Sequence, residues 1–101
     1  MEENRFNGEV TDVKCQKDGW CQIRITSPYS GEVYEVEIGS KALELIDYNL
    51  AKVKKTNPNY ELIMAPANIY FFSDGADKLE ICFTDPMIYT IGFVCHQVKK
   101  I

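Results

Sequence analysis

Cys95 and His96 are adjacent, and a thiol beside an imidazole is the pairing that nucleophilic catalysis uses. His96 is the single histidine, so any such chemistry must run through it. Neighbours on a strand point to opposite faces, which parts the two side chains. The remaining cysteines, Cys15, Cys21 and Cys82, show no C-x-x-C spacing of the kind a zinc site needs. All four are expected to be small, buried, structural thiols, because a reducing compartment and a sufficient core argue against disulfides. Asp74, Asp77 and Asp85 read as turn residues bonded to nearby backbone, and a calcium loop needs a denser run of oxygen ligands. No nucleophile elbow, Walker loop or H-E-x-x-H occurs. The expectation is a protein that is not an enzyme and carries no cofactor or metal.

Binding residues are easier to find. The net charge of −4 is unevenly placed, with −5 in residues 1–50 and +1 in residues 51–101. An acidic half repels phosphate and favours a basic partner. Glu32, Glu35, Glu37, Glu44 and Asp47 are the acids that would face it, with Leu45 and Tyr48 as exposed apolar anchors. That combination points to a small regulator or inhibitor acting on a larger protein. A nucleic-acid-handling enzyme is one such target, since its binding groove is basic. The alternative is single-stranded nucleic acid stacking on Trp20 and Tyr29 beside Arg24. Glu35 and Glu37 share the face of Trp20 and Arg24, and they would repel a phosphate backbone.

The elements that must carry these residues follow from periodicity. At 101 residues, 46% of them hydrophobic, the chain suits one domain over 1–101. Its apolar runs are too short to span a bilayer, and its start lacks a signal peptide's pattern, so a cytoplasmic location is expected. Residues 5–15 alternate with a one-residue slip near Thr11-Asp12, the mark of a β-bulge. Lys17-Asp18-Gly19 makes a three-residue hairpin loop that sets Cys15 opposite Cys21 and Val13 opposite Ile23. A second loop over Ser27–Glu32 pairs Ile23 with Val36, Arg24 with Glu35 and Ile25 with Tyr34. Cys21, Ile23, Ile25, Tyr34, Val36 and Ile38 then face inward, while Trp20, Gln22, Arg24, Glu35 and Glu37 face out. Trp20 falls opposite Gly39, whose bare backbone an aromatic ring can cover.

Ser40 reads as the N-cap of a helix to about Lys55, with Ala42, Leu43, Ile46, Leu50 and Val53 as its core stripe. Asn57-Pro58-Asn59 stops it. Strands are expected over Tyr60–Met64, Ile69–Ser73, Leu79–Thr84 and Met87–Val98, with turns at Asp74–Asp77 and Asp85-Pro86. The last of these is apolar on both sides, so it is central, or it is an edge that pairs with a second copy in a homodimer. The expected fold is a β-rich α+β domain, a small curved antiparallel sheet or an OB-like barrel of five to seven strands, with one helix between the third and fourth. The OB likeness is one of element order.

Overall fold

The computed structural model describes residues 4–84 and 89–101. Six strands and one helix follow in the order β1 (Asn4–Cys15), β2 (Cys21–Thr26), β3 (Val33–Ile38), α1 (Ala42–Lys54), β4 (Pro66–Phe71), β5 (Lys78–Phe83) and β6 (Tyr89–Lys100). The strands close into a barrel in the order β1-β2-β3-β6-β5-β4, and every neighbouring pair is antiparallel. The helix lies between the third and fourth strands, as expected. Six strands closed on themselves are one more than the five of an OB-type barrel. No helix among the described residues is long and apolar enough to cross a membrane.

The first three strands form a meander whose register is the one expected. Val13 faces Ile23, Cys15 faces Cys21, and a bulge falls at Thr11, between Val10 and Asp12. Ile23 faces Val36 and Arg24 faces Glu35. Gly19 holds φ +95°, the left-handed conformation that its hairpin position requires. The inward residues Cys21, Ile23, Ile25, Val36 and Ile38 are buried and Tyr34 is half-buried, so the alternation of the sequence becomes one wall of the core.

Antiparallel closure gives the barrel two unlike ends. One carries the β1–β2 tip and α1 with its connections; the other carries the 27–32 and 72–77 loops. Ala42, Ile46 and Val53 bury the helix against the core, with Leu43 and Leu50 half-buried beside them. Asn49 is also buried, its amide donating to the Leu45 carbonyl at 2.7 Å, which satisfies a polar group in an apolar setting.

Several expectations are corrected. The cap of α1 is Lys41 rather than Ser40, and no side chain bonds the first turn. The Gly19 carbonyl does that work instead, accepting from the Leu43 N–H at 3.1 Å. Residues 60–64 are a loop, not a strand. Met64 takes φ +75° there, and its N–H donates to the Val10 carbonyl at 2.7 Å beside the bulge. The next strand accordingly begins earlier, at Pro66.

The last strand is central, paired on both sides, so among the described residues it offers no edge for strand pairing with a second copy. A bulge at His96 shifts its phase and turns Val98 inward, which explains the two-sided pattern. The Asp85-Pro86 turn, Met87 and Ile88 lie outside the described residues. Cys15 and Cys21 are not free thiols but a disulfide, because directly opposite strand positions bring their Cβ atoms within bonding reach. Cys82 and Cys95 are free.

Candidate functional site

Alternation along β3 sends Glu35 and Glu37 to the outer surface, where each meets a base from a neighbouring strand. Arg24 Nε donates to Glu35 at 3.2 Å, and His96 Nε2 lies 3.7 Å from Glu37. Glu32, in the β2–β3 loop, accepts from Lys100 Nζ at 3.0 Å. That hydrogen bond, then the Glu32 charge and Tyr34, raise the Lys100 pKa, while partial burial opposes them. Between β2, β3 and β6 lies a shallow polar hollow of about 210 Å3 lined by Gln22, Glu35, Glu37, Gln97 and Lys99. Bases from β2 and β6 thus balance the β3 acids.

The residues on α1 separate into two groups. Leu45 and Tyr48, one turn apart, are exposed by 44% and 66%. Val94 on β6 is exposed by 62%, and with Leu45 it lines a hollow of about 270 Å3 that Gly39, Lys41 and Gly92 also line. Glu44 borders this flank, about 40° round the helix from Tyr48, and lies 3.9 Å from Lys41. Asp47 stands about 160° from Leu45, on the other flank. The structure therefore joins Leu45, Tyr48 and Glu44, and leaves Asp47 and the three β3-side acids elsewhere. Val94 is the member that sequence reasoning missed. Its only signal was an apolar residue at an outward position of β6, in a strand whose phase was hidden by the bulge.

Trp20, Arg24 and Tyr29 do not share a surface. Trp20 is half-buried at the helix end, its ring edge-on to His96 at 5.0 Å and 4.0 Å from where a Cβ on Gly39 would sit. Tyr29 is 97% exposed in the loop at the other end of β2, roughly 20 Å away by strand rise. Arg24, between them, is held by Glu35.

Two aromatic clusters mark the barrel ends. At the helix end Phe83 stacks between Tyr60 and Tyr89, with centroids 6.1 and 5.3 Å away, and Lys52 lies over the Tyr89 ring at 5.6 Å. Burial, then Tyr60 and Tyr48, raise the Tyr89 pKa. At the other end Tyr34 lies 4.6 Å from Phe6 and 5.5 Å from Phe71, flooring an open hollow of about 540 Å3 with Arg5 on its rim. Among the described residues no group of His, Cys, Asp and Glu has the arrangement of a metal site. No family model, curated protein or solved structure matches the chain.

Proposed function

We propose that this chain is a non-catalytic binding protein, a small regulator that docks on a larger protein through the flank shared by α1 and β6. The observation that carries the reading is that exposed Leu45 and Val94 line one shallow hollow, with exposed Tyr48 one helical turn on from Leu45. Contiguous exposed apolar surface costs free energy in water, and a partner recovers it. Glu44 and Lys41 give this patch a charged rim, so the matching surface is apolar at its centre and polar at its edge. A basic partner matched to Glu32, Glu35 and Glu37 is the lesser contribution, since each of these acids already faces a base.

A second reading, single-stranded nucleic acid on an OB-like barrel, draws its support from the open end. Phe6, Tyr34 and Phe71 offer ring faces there, and Arg5 offers a cation with no ion pair among the described residues. A pull-down from nuclease-treated cytoplasmic lysate separates the two. The protein reading expects a specific partner that survives nuclease, is lost with the Leu45→Asp/Val94→Asp variant and is kept with Glu35→Lys/Glu37→Lys. Both substituted positions of the first variant are exposed, so its circular dichroism and melting point should match the wild type. Equal capture by wild type and Leu45→Asp/Val94→Asp would reject the docking flank. Loss of all capture on nuclease treatment would favour nucleic acid and make Arg5 and Phe71 the next variants.

A further inference from the structure

We infer that the Cys15–Cys21 pair is a thiol–disulfide exchange site for a small thiol of the glutathione kind. The two sulfurs are unequal. Cys15 is exposed and Cys21 is 1% exposed, so an incoming thiolate reaches the Cys15 sulfur and expels Cys21. A hollow of about 260 Å3 beside the bond is lined by Lys14, Cys15, Trp20, Cys21 and Glu37, among others. Lys14, 3.9 Å from Asp12 and largely exposed, lines this hollow opposite in charge to Glu37, so it is the cation available to an approaching thiolate. The leaving sulfur also has a place for its proton. Cys21 Sγ lies 3.8 Å from the Gly19 carbonyl, which can accept the S–H once the bond is broken.

The chemistry balances as two exchanges. The first thiolate bonds to Cys15 Sγ, the Cys15–Cys21 bond breaks with its electron pair on Cys21, and Cys21 takes up a proton. A second thiol attacks the mixed disulfide, releases Cys15 as a thiol and leaves as the oxidised small-molecule disulfide. The protein gains two electrons and two protons, and two thiols supply them.

The fold tolerates either state because the bond closes a tip that is closed already. The cysteines are six residues apart, and between them the Gln16 N–H donates to Trp20 and the Gly19 N–H donates to Gln16, at 2.8 and 3.0 Å. The Cys15–Cys21 cross-link therefore adds little order to a hairpin held by its own ladder. It does reach other parts of the molecule. Gly19 bonds Leu43, and Trp20 covers Gly39, so the tip leans on the segment that lines the Leu45–Val94 hollow. Any effect on docking rests on the function proposed above; the exchange chemistry does not.

The test uses the folded chain with Cys82→Ser, incubated with mixtures of reduced and oxidised glutathione, quenched in acid and read by peptide mass spectrometry. The expected result is a glutathione adduct on Cys15 and none on Cys21, with complete and reversible interconversion of disulfide and dithiol. Emission from Trp20, the single tryptophan, should follow the same curve while far-ultraviolet circular dichroism holds constant. Lys14→Glu should slow the forward exchange roughly threefold. Cys95, buried and with its pKa raised to about 12 by burial and then Asp77, should stay unmodified throughout and report that the protein remained folded. Reduction that requires denaturant, an adduct on Cys21, or two free thiols at these positions after air oxidation would each overturn the assignment.

Discussion

At one end of the barrel a helix and a hairpin tip lie over the core, and at the other three half-buried aromatic side chains do the same work alone. The helix end contributes Ala42, Ile46 and Val53 to the core cluster and encloses the fully buried Phe83. The open end is covered by Phe6, Tyr34 and Phe71, with the Lys100–Glu32 pair nearby. Area removed from water sets the hydrophobic contribution, so the two ends differ in what they add to stability and in what they can offer a ligand. The covered end presents an exterior, the flank of α1. The open end presents an interior, the ring faces of its own core.

Truncation at the two ends should expose the difference most plainly. Phe83→Ala removes a side chain with no exposed surface and is expected to cost about 3–5 kcal/mol, whereas Phe71→Ala, half-buried at the mouth, should cost about 1–2 kcal/mol. Chemical denaturation of both variants checks this, and equal losses would break the comparison. Next in size is Gly19→Ala, which tests whether the hairpin tip is part of the helix end. A Cβ there would run into the Ser40 carbonyl oxygen while the residue holds φ +95°, so a loss of about 2–3 kcal/mol is expected. A loss below 1 kcal/mol would mean that the tip yields freely.

Smallest, over the range from pH 7 to 10, is a pH dependence. Burial, then Asp77, push the folded Cys95 thiol up to about 12, against about 8.5 in the unfolded chain, so between these values the unfolded state gives up its proton first. The thiol's contribution to stability is complete below about pH 8.5 and is lost as pH rises toward 12, by at most about 1.4 kcal/mol per unit. Denaturation midpoints of wild type and Cys95→Val, followed from pH 7 to 10, should diverge only above about 8.5.

The two halves of the chain differed in how much they revealed. In β1 to β3 the alternation is regular apart from the bulge at Thr11, the loops are marked by glycine, and Arg24 lies opposite Glu35 as the pattern requires. In the second half, Tyr60 to Met64 is a short apolar run that suits a strand as well as a covering loop. Tertiary contacts decide it: Leu62 is buried, Tyr60 stacks on Phe83, and Met64 turns back to bond Val10. The His96 bulge hid the phase of β6 and with it the outward position of Val94, so of the exposed apolar residues Leu45, Tyr48 and Val94 only the two on the helix were legible. The disulfide is a different case. The hairpin register sets Cys15 directly opposite Cys21, and that geometry suffices for the bond whatever the compartment.

Closure of the barrel depends on two seams, β1 with β4 and β3 with β6, and both join residues about sixty positions apart in the chain. Everything else in the sheet is local, since each half is a meander of consecutive strands. Folding should therefore proceed by early formation of two small sheets followed by a slower search that zips them together. Substitutions in the tight turns should act mainly on the first stage and substitutions at the seams mainly on the second. The rate-limiting event is then a docking of two halves, an association of the kind that joins separate subunits but carried out within one chain.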